Sequence, residues 1–98
     1  MKEIKRFGDL DFGYDDVEEW YKINQLLNNE IIVIDYIITN GEFGEYAIVK
    51  FQFVGSEKIC AFTTGGKVIL KKLDKAKDMN LLPLIGRIVK KKNYYDIV

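Results

Sequence analysis

Glu45-Tyr46-Ala47-Ile48-Val49-Lys50-Phe51-Gln52-Phe53-Val54, then Gly55-Ser56-Glu57, then Lys58-Ile59-Cys60-Ala61-Phe62-Thr63-Thr64 is the stretch from which the fold follows. Ala47, Val49, Phe51 and Phe53 share one parity, and Tyr46, Ile48, Lys50 and Gln52 share the other. Side chains alternate across a strand, so this arm has one dry face and one that mixes aromatic, aliphatic and cationic groups. Gly55-Ser56 signals a turn, and a second β-rich run follows it. The reading is a hairpin with one face in a core and the other presented outward.

The 98 residues suffice for one domain with a single core. Lysine plus arginine balance aspartate plus glutamate at 15 each, so the chain is not a generally basic polymer binder. The balance is uneven along the sequence. Residues 1–30 carry four basic and eight acidic side chains, a net of −4, and residues 31–98 carry eleven and seven, a net of +4. Local field matters more to a ligand than the total. Histidine is absent and Cys60 is the only cysteine, so an internal disulfide and a thiolate–imidazole pair are excluded and a zinc site is not expected. A reducing, cytoplasmic compartment fits. The longest apolar run, Ile31 to Ile38, is broken by Asp35 and is too short to span a bilayer, so no membrane is expected among the partners.

Outward from the hairpin, Ile31–Ile38 is β-branched at both parities, as in a strand covered on both sides or one that curves between the sheets of a barrel. Thr39-Asn40-Gly41-Glu42-Phe43-Gly44 contains an Asn-Gly turn signal and predicts a loop longer than a tight turn, with Phe43 exposed. Residues 1–14 read as an irregular, loosely docked arm carrying Phe7, Phe12 and Tyr14. Residues 16–28 read as a helix, with Asp15 as N-cap, acidic residues in the first turn and Trp20, Ile23 and Leu27 on one face. On the other side, Gly65-Gly66 leads into Lys67–Lys77, where Ile69, Leu73 and Ala76 form a helical stripe and Lys67, Lys71 and Lys75 another. Leu84–Val89 and Tyr94–Val98 read as strands joined by a turn at Lys90-Lys91-Lys92-Asn93. The expected class is therefore mainly β, with five strands, a helix between the third and fourth, and an extra N-terminal helix. That connectivity is the OB-fold, a small Greek-key barrel. Residues 1–30 are the arm and helix packed on it, and residues 31–98 are the barrel, one domain in all.

OB barrels bind on the face of strands two and three and on the loops after strands one and four. Here that rule selects Tyr46, Ile48 and Lys50 on strand two and Phe43 in the first loop. On strand three it selects Phe62, or its neighbours Ala61 and Thr63, because the register is open. On the last hairpin it selects Arg87, Lys90, Lys91, Lys92 and Tyr94, with Tyr94 rather than Tyr95 outward. Lys67, at a helix start, is placed to touch a phosphate. Rings interleaved with cations suit single-stranded nucleic acid, because bases stack on rings at ~1–3 kcal/mol each while Lys and Arg follow the phosphates.

Gly44–Phe51, Phe62-Thr63-Thr64-Gly65-Gly66-Lys67-Val68-Ile69 with Leu73, Leu82-Pro83-Leu84, Ile88-Val89-Lys90 and Tyr94-Tyr95 resemble the small OB-fold single-stranded DNA-binding proteins of phages and mobile elements in low-GC Gram-positive bacteria. The resemblance covers about residues 31–98. It implies sequence-tolerant binding of single-stranded DNA in replication or recombination, and self-association on the strand as a homo-oligomer. Two features depart from it. The chain stops at Asp96-Ile97-Val98, without the acidic C-terminal tail by which bacterial housekeeping members recruit partners. The acidic segment 1–30 is unexpected for a DNA binder, and either lies away from the groove or folds over it.

No catalytic role and no cofactor are expected. Ser56 is the only serine, and no nucleophile has an evident base. Gly65-Gly66-Lys67-Val68 lacks the length and the following Ser or Thr of a phosphate loop. The alternatives to DNA binding are an OB-type protein-interaction module, acting as inhibitor or assembly factor, and an RNA-binding barrel.

Overall fold

The alternation in the central arm is realised on its dry side. In the structure, a computed structural model that describes residues 16–98, Ala47, Val49 and Phe51 have no exposed surface. They belong to the long strand β3, Gly44–Phe53. Around it lie β1 (Glu19–Tyr21), β2 (Glu30–Gly41), β4 (Cys60–Thr64), helix α1 (Lys67–Asp78), β5 (Leu84–Lys90) and β6 (Tyr95–Ile97). The strands form one six-stranded sheet in the order β1-β4-β3-β2-β5-β6, with β1 and β6 at its two edges. The arm expected over residues 1–14 lies outside the described residues.

The core is built on rings. Phe51 packs against Phe53 and Phe62 at centroid distances of 5.3 and 5.6 Å, and Tyr21 stands edge-on to Phe53 at 5.4 Å. Such tilted pairs add ~0.5–1.5 kcal/mol each beyond the area they bury. Phe62 is wholly buried here, which corrects the expectation that it faces a ligand. The register explains why. Phe62 lies opposite Val49, on the inner parity of β3, whereas Thr63 lies opposite Ile48 on the outer one.

The two-parity run in β2 has a local cause. Ile31 and Val33 pair with Phe53 and Phe51, then the register slips, and Tyr36 pairs with Val49. A bulge at Ile34 moves the inward parity from odd to even residues, so Ile31, Val33 and Tyr36 are all buried. The run is apolar at both parities because the strand bends, not because both faces are covered along its length.

Residues 17–29 depart most from expectation. They do not form the continuous helix expected over residues 16–28. Glu19–Tyr21 is a strand, parallel to β4, with Trp20 opposite Ala61 and Tyr21 opposite Phe62. A short 3-10 helix, Ile23–Leu26, follows. Leu26 is fully buried, Leu27 bridges to Ile88, and the Asn28 amide donates to the Ile88 carbonyl at 2.7 Å. The segment thus runs from the edge of β4 across to β5. An acidic first turn and a Trp-Ile-Leu stripe favour a helix locally, but the unpaired edge of β4 offers backbone partners a helix could not use. Asn28, at a φ of 65°, makes the left-handed turn into β2 that Asn tolerates.

Helix α1 agrees with its sequence pattern, with Ile69, Leu73 and Ala76 buried. It is tied to β2 by the Tyr36 hydroxyl, which donates to Asp74 Oδ1 at 2.5 Å. Burial, and then the Asp74 carboxylate, push the Tyr36 phenol well above its ordinary value. On the other side of α1, Lys72 Nζ sits 2.8 Å from Asp96 Oδ1, fastening β6.

Candidate functional site

The outer face of the sheet is defined by pairing. Direct partners in neighbouring strands point to the same side. Tyr46 therefore stands beside Thr39, Ile48 beside Ile37 and Thr63, and Lys50 beside Asp35 and Ala61, with Trp20 next to Ala61. Tyr46, Ile48, Lys50, Ile37 and Thr39 are half-buried, Thr63 is exposed, and Trp20 is 57% exposed. Three of the expected residues are thus brought together. Trp20, Ile37, Thr39 and Thr63 join them. Trp20 was hidden by the helical reading of its segment, although its place between Glu19 and Tyr21 fits the alternation of a strand.

The hairpin between β2 and β3 is tighter than its sequence predicts. Pairing continues to Gly41 opposite Gly44, so the turn is Glu42-Phe43 alone. Gly44, at a φ of 111°, makes the reversal that a side chain would resist. Gly41 serves a different purpose from the expected turn. A Cβ there would sit 2.9 Å from Tyr46 Cε1, so the missing side chain is what lets the Tyr46 ring come this close to the strand. Phe43 at the tip is 98% exposed. Phe43, Glu45, Tyr46, Thr63 and Gly65 line a shallow groove at this end. Lys67 is exposed at the start of α1, two residues after Gly65.

Electrostatically the face is mixed. Lys50 Nζ is 2.8 Å from Asp16 Oδ1, so a carboxylate from the beginning of the described chain reaches the cation of this face. Lys58 Nζ is 2.7 Å from Glu19 Oε1 at the adjacent edge. Hydrogen bonds from Lys58 and from the Tyr21 hydroxyl hold the Glu19 carboxyl below its ordinary range.

The remaining expected residues form a second group. Arg87 is exposed but bound to Glu30 at 3.0 Å. Lys90 Nζ lies 5.6 Å from the Tyr95 ring centroid. Lys91 and Lys92 are exposed in the turn before β6. Tyr94 is 46% exposed and Tyr95 half-buried, the orientation expected from alternation. β5 pairs only with Glu30–Val33 of β2. Tyr46 sits at the level of Thr39, ~20 Å further along β2 at the usual rise of a strand. The register therefore does not gather the expected residues into one patch. Rings cluster toward one end of β2, and lysines on the hairpin beyond the other.

Among the described residues, no group of acidic or cysteine side chains has the arrangement of a metal site, and no helix is long and apolar enough to cross a membrane. No curated protein and no solved structure matches the chain. A family model described as a domain of unknown function, DUF8468, matches residues 17–98, a span that begins two residues before β1 and includes every strand, and the chain belongs to that family.

Proposed function

We propose that the outer face of β2, β3 and β4 binds single-stranded DNA without sequence preference. The observation that carries this reading is the Tyr46 ring, close against Gly41, lining one shallow groove with the exposed Phe43, Thr63 and Gly65. Aromatic rings that line an open groove are platforms on which bases stack. Lys50 and Lys67 supply cations nearby, and the lysine hairpin at the far end of β2 gives a longer strand a second place for its phosphates.

The fold reading supports it. β2 to β6, with α1 between β4 and β5, keep the connectivity of an OB barrel. The β2–β3, β3–β4, β2–β5 and β5–β6 pairs are those such a barrel uses. The residues before β2 occupy the edge of β4 where the last strand of a barrel would run. The role in phage or mobile-element replication or recombination, and self-association on the strand, rest on the sequence resemblance.

A second reading, a protein-interaction module, is favoured by one observation: Asp16 already neutralises charge on Lys50, and Glu42 and Glu45 flank the ring platform. Trp20 is the only tryptophan and lies on the same face, so its emission reports occupancy. Titration with oligo-dT should quench it, with an affinity that falls steeply as salt rises. Oligo-U should compete more weakly; equal competition moves the reading to RNA. An unchanged Trp20 signal and no change in oligonucleotide anisotropy at low salt would leave the protein-interaction module standing instead.

A further inference from the structure

We propose that a DNA strand longer than the ring groove leaves it over Gly65 and runs along the exposed side of α1, with Lys67, Lys71 and Lys75 as its phosphate contacts. This rests on the DNA-binding reading and adds the path of the strand beyond the rings. The first observation is placement. Gly65 lines the groove together with Phe43 and Tyr46, and α1 begins two residues later at Lys67. The helix buries Ile69, Leu73 and Ala76, which leaves Lys67, Lys71 and Lys75 exposed on its other side. At the rise of an α-helix these lysines recur every ~6 Å along the axis. Their flexible four-carbon stems let each ammonium settle on a phosphate.

The second observation is the absence of competing carboxylates. Cations along the sheet are already matched. Lys50 lies 2.8 Å from Asp16, Lys58 2.7 Å from Glu19 and Arg87 3.0 Å from Glu30. On the flanks of α1, Lys72 reaches Asp96 and Lys77 reaches Asp35. Among the described residues, Lys67, Lys71 and Lys75 form no ion pair. The two acids of the helix do not cancel them. Asp74 accepts the Tyr36 hydroxyl, and Asp78 stands at the last residue of α1. A polyanion gains most from cations that it need not first separate from a carboxylate.

The route also relates the two groups of expected residues. The bond from Lys72 to Asp96 sets the middle of α1 against β6, the strand that follows Lys91 and Lys92. The ladder therefore begins at the rings and passes the strand behind the lysine hairpin. A long polynucleotide reaches both groups around the helix, without crossing the ion-paired length of the sheet.

The test compares short and long oligo-dT on the full chain. Lys71→Gln/Lys75→Gln keeps good helix formers at both positions. The affinity for an oligonucleotide that fills only the ring groove should not change. For a strand several times longer, the slope of log affinity against log salt should shrink by about 0.7 for each lysine removed. In the unaltered protein, the long strand but not the short one should shift the amide signals of Lys71 and Lys75, and should spare Ile32 and Arg87. Shifts at Ile32 and Arg87 without shifts on α1 would route the strand along β2 and overturn the proposal. An equal change of slope for both lengths overturns it too, because it reports a general field rather than a track. So does an unchanged slope for both. In each of these cases short-strand binding persists, and the DNA reading with it. If the unaltered protein binds neither length, the DNA reading fails and the track falls with it.

Discussion

The two faces of β3 are made by the same ten residues and kept in place by different physics. Inward, Ala47, Val49 and Phe51 are completely buried among other apolar groups. Outward, Tyr46 packs close against Gly41 and Lys50 makes an ion pair with Asp16. Any residue of suitable volume satisfies the first face, whereas the second depends on particular neighbours. Stability and binding should therefore separate by parity. The largest effect is expected inward. Phe51→Ala removes the ring that packs on both Phe53 and Phe62 and should cost about 3–5 kcal/mol in urea unfolding. A decrease under ~1 kcal/mol would mean that the core does not depend on this parity.

Outward, Tyr46→Ala should weaken oligo-dT binding by ~1–3 kcal/mol while the melting curve moves little. The opposite result, a large drop in stability with binding intact, would make Tyr46 a lid on the core and erase the distinction between the faces.

The same distinction decides what could be read from sequence. Inner positions announce themselves, because burial imposes apolar residues at a fixed period. The β3 alternation and the α1 stripe of Ile69, Leu73 and Ala76 were both legible for that reason. Position 34 was not, since a bulge breaks the period without changing the apolar composition. Nor was the segment from Val17 to Asn29. Its carboxylates suit a helix start, and only the edge of β4, distant in sequence, makes Glu19–Tyr21 a strand. Phe62 shows the limit for sites. An aromatic residue in a strand is legible as a ring but not as an outward ring until the register is known, and one position's difference chose Thr63. The exposure of Phe43 and Tyr94 and the outward parity of Tyr46 were legible because turn and alternation signals sufficed for them. Trp20 was missed with its strand.

The lysine hairpin tests how far the proposed binding surface extends. Lys91→Ala/Lys92→Ala should leave the affinity for a short oligonucleotide unchanged, since these residues lie beyond the opposite end of β2 from Tyr46. For a strand long enough to reach both ends, the slope of log affinity against log salt should shrink by about 0.7 for each phosphate no longer neutralised by a lysine. Equal effects on short and long strands would show that the two groups of residues act as one site.

The smallest effect concerns the edge where both faces meet. In β1, Trp20 points outward and Tyr21 inward, and Glu19 holds the strand through Lys58 and the Tyr21 hydroxyl. The folded Glu19 carboxyl titrates below its ordinary range, chiefly because of the Lys58 hydrogen bond. Its help in anchoring β1 is therefore complete above the unfolded value of about 4.3 and disappears as pH falls through the lower folded one. Trp20 emission should register that change as a step in acid, in a range where the rest of the fold still holds. Lys58→Met removes the main cause of the depression, so the step should move upward in pH toward the ordinary glutamate range. A step that stays where it was would assign the acid response to another carboxylate and leave β1 held by its backbone pairing with β4 alone.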